Sequence, residues 1–236
     1  LFGSLGAEWV NNTNWLNENE CTWYGIACDG RVVVSIDMPE NNLVGTISPE
    51  LALLNSLRTL VFNDNGLSGT FPQTFQDMSS LRILGLRTND LTGSLEGLDF
   101  SPMESLLVFD ARENEITGAI PESIYALSNL NFFDVGDNQI SGSISPSIGG
   151  LVNAQRFVVR GNNIAGSIPT EIGSMTALTT FDISANDIVG PIPAEVGNLV
   201  ALQEFAVSGN QLDGGLPSSL GNLENLGKLS KWLLGI

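Results

Sequence analysis

One phrase recurs along this chain at a nearly fixed interval, and it restricts the fold more than any other feature. From about Val33 onward the sequence repeats the pattern L-x-x-L-x-L-x-x-N-x-L-x-G-x-I-P. Clear copies run Leu57, Leu60, Phe62, Asn65, Leu67, Gly69, Phe71, Pro72 and Leu178, Phe181, Ile183, Asn186, Ile188, Gly190, Ile192, Pro193. The asparagines fall at Asn41, Asn65, Asn89, Asn114, Asn138, Asn162, Asn186 and Asn210, spaced 24, 24, 25, 24, 24, 24 and 24 residues apart. A period of this length marks stacked units, none of which can bury its apolar face alone. The one extra residue lies within 95–102, where the Ile-Pro step is also lost, so that loop is expected to bulge outward.

Each column of the repeat has a physical reading. Apolar residues two apart, such as Phe181 and Ile183, point inward from a short strand, and parallel strands about 4.8 Å apart build one continuous sheet over a shared core. The asparagine follows the strand, where its amide can satisfy backbone groups at the inward turn. The glycine suits a turn too crowded for a side chain. Proline after the isoleucine donates to no ladder and helps end the local strand before the convex segment. The expected fold class is therefore an α/β solenoid with a parallel concave β-sheet and an irregular or 3-10 convex side. Phe109, Phe133, Phe157, Phe181 and Phe205 share one inward column and are expected to form a packed aromatic spine rather than a ligand cavity.

Composition excludes several functions. With 26 acidic against 9 basic residues, the net charge of −17 opposes attraction to nucleic acid or anionic lipid. Histidine is absent, which removes the commonest neutral-pH general base and the commonest zinc ligand. The chain is accordingly read as non-catalytic, with no metal and no cofactor. No run of 18 apolar residues occurs, so no direct membrane insertion is expected within it. A basic segment leading into an apolar one is missing as well, so no signal peptide is read here.

A solenoid exposes the apolar end of its first coil and needs a cap. Before Arg31 stand Trp9, Trp15 and Trp23, together with Cys21 and Cys28, which are close enough for one bridge. Closing so short a loop contributes about 2.5 kcal/mol through chain entropy. A disulfide is preferred here over two free thiols, and it implies an oxidising compartment.

With Cys21, Trp23, Gly25 and Cys28 in a C-x-W-x-G-x-x-C cap, and Asn65, Leu67, Gly69 and Pro72 in one coil, the chain resembles the plant-type leucine-rich-repeat family. The resemblance runs from about Trp9 to Leu226. It implies a right-handed leucine-rich-repeat superhelix, and an extracellular, secreted or cell-surface recognition role like that of receptor-kinase ectodomains and polygalacturonase inhibitors. The expected organisation is a cap over 1–31 with one disulfide, eight repeats of 24–25 residues over 32–225, and a partial ninth repeat or truncated cap over 226–236. There Trp232, Leu233 and Leu234 improvise a cap, or the chain is a piece of a longer protein that continues into repeats, an anchor or a kinase. Asn11 opens an Asn-x-Thr sequon, consistent with glycosylation of the cap.

Strand positions that alternate with the core point onto the concave surface. Arg58, Arg82, Arg87, Arg112, Arg156 and Arg160 all fall there, six of the nine basic residues, beside nine acids; elsewhere three basic residues face seventeen acids. Arg87, Arg112 and Arg160 form one column, and Asp110, Asp134 and Asp182 a neighbouring one. Any single pair of these amounts to an ordinary exposed ion pair contributing about 0–1 kcal/mol. The confinement of arginine to one face points further, because guanidinium forks suit carboxylates, sulfates and phosphates. The candidate ligand residues are Arg82, Arg87, Arg112, Arg156, Arg160, Asp110, Asp134 and Asp182.

The expected function is recognition of a peptide, protein or acidic polysaccharide by a chain that is monomeric alone. Inhibition of a secreted glycan-cleaving enzyme, or a structural and adhesive role, are the alternatives. A hydroxyl row at Ser68/Thr70, Thr92/Ser94, Thr117, Ser141/Ser143 and Ser167 raises ice binding as a remote one, although the repeat pattern alone produces such a row.

Overall fold

The computed structural model describes residues 8–229. Ten short strands form one sheet in simple chain order. A hairpin of Ile26–Asp29 and Val32–Asp37 opens it antiparallel, and every later neighbour is parallel, from Thr59–Val61 and Ile83–Gly85 through Glu204–Ala206 to Lys228–Leu229. Along the parallel strands the register is kept: Leu84, Phe109, Phe133, Phe157, Phe181 and Phe205 stand opposite one another on successive strands. A shift of one residue would turn the core face to solvent, so the buried column itself holds the register.

The aromatic spine forms as the column requires. From Phe109 to Phe205 the rings are buried and stack at centroid separations of 5.6, 5.4, 5.8 and 5.9 Å. The asparagine column ties each coil to the one before it. Asn138 Nδ2 donates to the carbonyls of Val135 and Gly136 in its own turn and of Ala111 in the preceding coil, while its Oδ1 accepts the Ile116 N–H at 2.9 Å. Asn65, Asn89, Asn114, Asn162, Asn186 and Asn210 make the equivalent bonds.

Among the described residues no such coil precedes Asn41, which bonds to the N-terminal segment instead. Its Nδ2 donates to Asn11 O and its Oδ1 accepts the Asn11 N–H. Cys21 and Cys28 are joined by a disulfide. Trp9 is buried, and a run of ring contacts leads from it through Trp15 to the half-exposed Trp23. The expectation for Trp232, Leu233 and Leu234 lies outside the described residues.

On the convex side the coils turn through short helical segments, 3-10 in Pro49–Leu53, Gln73–Asp77 and Thr170–Ser174 and α in Glu122–Tyr125, with one exception. Proline stands at the boundary, extended, as at Pro72 and Pro121. Between Leu95 and Met103 no such segment forms; Leu95 and Phe100 are buried anchors while Glu96, Gly97 and Asp99 are exposed. Among the described residues no helix is long and apolar enough to cross a membrane.

One feature departs from the single-sheet reading. The glycine column belongs to further parallel ladders along the flank: Val44–Thr46, Gly66–Thr70, Asp90–Ser94 and Glu115–Thr117, then Ala165–Gly166, Asp187–Gly190 and Gln211–Leu212. Gly93 shows why glycine is needed: its φ is +83°, and a Cβ there would lie 2.6 Å from the Thr70 methyl of the previous coil.

Candidate ligand-binding face

The side chains of the concave face are aimed by two backbone habits. Strand alternation sends the residues before and after the phenylalanine column outward. The residue just before each asparagine then takes a left-handed conformation, with φ of 59° at Asp64, 52° at Thr88, 56° at Glu113 and 54° at Asp137. Gly161 and Gly209 occupy the same place with φ of 63° and 68°.

From that left-handed position an acid meets the arginine of the next coil. Arg87 Nη2 lies 3.0 Å from Asp64 Oδ2, and Arg160 Nη2 lies 2.6 Å from Asp137 Oδ2. Arg112 occupies the same column, but the preceding coil offers it Thr88 instead of an acid. It therefore turns to Glu113 and Asp134, each at 3.9 Å.

Asp110 and Asp134 form the centre of the face. They are in register on adjacent strands, and Asp134 is only 1% exposed. Asp134 accepts the Gly136 N–H at 3.0 Å and Arg156 Nη2 at 3.3 Å. Burial pushes its carboxyl above the ordinary range despite those partners. Burial, reinforced by the negative charge of Asp134, pushes Asp110 up to about 6. Arg156 also lies over the Phe132 ring, 5.3 Å from its centre, so its guanidinium bridges a carboxylate and an aromatic face.

Arg82, like Arg58, is placed differently. Both are exposed, and among the described residues neither side chain has a hydrogen-bond or ion-pair partner. Their backbones are adjacent, with Arg82 N–H donating to Arg58 O at 2.8 Å. Beside them the outward positions carry Ile83, Val108 and Phe132, all half-buried, and Leu107, which is 40% exposed.

Of the residues expected from the sequence, the structure thus brings together Arg112, Arg156, Asp110 and Asp134. Arg87 and Arg160 flank that group, each held by an acid of the preceding coil. Asp182 stands apart, opposite Val158 and Ala206, and accepts the Ser184 N–H at 3.0 Å. The apolar patch escaped the sequence reading because that reading followed charge. Its signal was present in Ile83, Val108 and Phe132, apolar residues in a column that strand alternation sends to solvent. The hydroxyl row lies on the flanking ladders, where Ser68 Oγ and Thr92 Oγ1 donate to Gly45 O and Gly69 O.

Comparison with known proteins places these features in a wider set. A family model described as Leucine Rich Repeat matches residues 56–78, 129–151 and 201–223. Receptor-like protein 5 of Arabidopsis thaliana is 40% identical over 53 residues, 22% of this chain and 20% of that one. The crystal structure of the Arabidopsis receptor kinase HAESA in complex with the peptide hormone IDA and the co-receptor SERK1 is similar with a TM-score of 0.75 and 30% identity, over 81% of this chain and 33% of that one. A plant ice-binding protein matches with a TM-score of 0.57 over 88% of this chain and 84% of its own; at 21% identity this is a likeness of fold alone. The matches to Receptor-like protein 5 and to HAESA span about a fifth and a third of those chains.

Proposed function

We propose, from the premise that this chain is a leucine-rich-repeat protein of the plant type, that it is a non-catalytic recognition module working outside the cell and binding a peptide or protein on its concave sheet. The observation that carries this reading is the composition of that sheet. Arg87, Arg112, Arg156 and Arg160 are ordered by acids, Arg58 and Arg82 have no partner among the described residues, and an apolar patch lies between. A surface held this rigidly by the asparagine and phenylalanine columns loses little conformational entropy on binding. The disulfide supports an oxidising compartment, and the likeness to receptor ectodomains points the same way.

In this proposal Arg82, Arg87, Arg112, Arg156, Arg160, Asp110, Asp134 and Asp182 contribute to the ligand face, and Asn11 carries a glycan on the cap. The test is a comparison of the wild-type chain with Arg87→Ala/Arg112→Ala/Arg160→Ala, both presented to a displayed library of random peptides and to a panel of secreted glycan-cleaving enzymes. Recovery of peptides by the wild type and their loss by the variant, with melting temperature kept within a few degrees, is the expected result. Equal recovery by both chains rejects the concave assignment, and inhibition of an enzyme in the panel replaces the receptor reading by an inhibitor.

A further inference from the structure

We infer that a cavity at the capped end of the solenoid, between the cap tryptophans and the first convex turn, binds a small organic cation with an apolar body, its charge held by Glu20 and Glu50. The site lies apart from the concave face and does not depend on what that face binds.

The first ground is the cavity itself. It measures 570 Å³ and has two walls among the described residues: the cap supplies Trp15 and Trp23, and the first coil supplies Met38, Leu51 and Leu54. Its volume falls within the range of about 300–1,000 Å³ usual for small-molecule sites, and it lies where two structural units meet, as such sites commonly do. Trp15 and Trp23 are half-buried, with ring centroids 4.5 Å apart, and Trp15 and Leu54 pack against the buried core from the edge of it. An occupant takes apolar area out of water on both walls.

The second ground is that both walls are fixed in advance. Trp23 Nε1 donates to Asn17 O at 3.1 Å, and Trp23 N–H donates to Glu20 O at 3.0 Å. The disulfide between Cys21 and Cys28 ties that turn to the capping hairpin. On the other wall, Pro49 O at the head of the 3-10 segment accepts Thr74 Oγ1 of the next coil at 3.0 Å. A preformed site loses little conformational entropy on binding.

The third ground is charge, which selects the ligand. Each wall carries one acid, Glu20 from the cap and Glu50 from the first coil. Ser48, which also lines the cavity, donates its hydroxyl to the Glu50 carboxylate, and that bond holds the carboxyl below its ordinary range, so it is anionic at neutral pH. No base lines the cavity among the described residues, and Arg31, the base of the cap, makes no ion pair there with either glutamate. Two carboxylates in a chain of net charge −17 attract a cation, and indole faces favour the same charge. A neutral apolar molecule forgoes both attractions, and an anion is repelled.

The experiment titrates the full chain with hexyltrimethylammonium, with neutral heptanol and with hexanesulfonate, read by tryptophan emission and by melting temperature. The cation is expected to shift the emission saturably and to raise the melting temperature, since a ligand bound only to the folded state stabilises it. Heptanol is expected to bind more weakly, and the sulfonate not at all. Glu20→Gln/Glu50→Gln is expected to bind the cation about tenfold more weakly and to keep the wild-type affinity for heptanol. Leu54→Ser is expected to weaken cation and alcohol alike, and circular dichroism melts establish that both variants fold. No saturable binding of the cation by the wild type, equal binding of the three probes, or unchanged cation affinity in the glutamine variant would overturn the inference. Binding that appears only in a chain lacking residues 1–7 would overturn it as well, by assigning the cavity to the chain's own N-terminal segment. None of these outcomes bears on the concave reading, which the peptide selections test separately.

Discussion

Asp110 and Asp134 lie directly opposite one another on neighbouring coils, and Arg112 and Arg156 both reach the second of them. The arginines do not fully compensate the burial: Asp110 is raised from 3.8 to about 6. The folded chain therefore holds that proton more tightly than the unfolded chain does. The stability attached to it is fully present below pH 3.8, declines as pH rises, and is lost above pH 6. Asp110→Asn is expected to raise stability at pH 7 by about 1–2 kcal/mol, discounted for the residual exposure of the carboxyl. The gain is expected to vanish below pH 4, and thermal melts across that range would refute it by showing one constant difference.

Thr88 is a β-branched residue at φ of 52°, in a column where Gly161 and Gly209 also stand. Left-handed backbone disfavours a branched Cβ, and Thr88 Oγ1 offers in return one exposed bond to Glu113. Thr88→Gly is expected to be neutral or stabilising by about 0.5–1 kcal/mol, in contrast to most glycine substitutions. A fall in the urea midpoint would contradict the strain argument.

Asn138 makes four bonds from one side chain, three of them to carbonyls of two coils. Asn138→Ala leaves those groups buried and unpaired, and is expected to cost about 3 kcal/mol or more. Because a solenoid is held together by neighbour contacts, the loss is expected to be local. Hydrogen exchange at the Ile116 amide is the direct readout; unchanged protection there would refute the bonding scheme.

The disulfide closes a loop with a sequence separation of 7. Cys21→Ser/Cys28→Ser is expected to remove about 2–3 kcal/mol of cap stability. The damage is expected to appear as faster exchange at the Asp37 amide, which donates to Gly25 O within the capping hairpin. Uniform acceleration along the whole solenoid would instead mean that the cap nucleates the entire array.

The candidate site was legible in part. Strand alternation placed six of the seven arginines on one face, because an outward column stays outward once the phenylalanines are inside. Their partners were not legible. Arg87 and Arg160 reach acids of the preceding coil only because Asp64 and Asp137 adopt positive φ, and the clue to that conformation was Gly161 and Gly209 in the same column. The flanking ladders were hidden for a related reason. Segments such as Gly66–Thr70 are poor in intrinsic strand propensity and pair only because stacking lays them side by side.

The period and the apolar spacing, taken alone, determined that this chain winds into a solenoid with a dry interior and a concave sheet; each is a one-dimensional pattern that local geometry converts into a face. Only the tertiary structure decided which arginines are neutralised and which remain free, because a guanidinium selects its partner by distance across coils 24 or 25 residues apart. That selection leaves Arg58 and Arg82 unpaired among the described residues, beside a patch of apolar side chains that sequence spacing scatters over fifty residues and the sheet draws together.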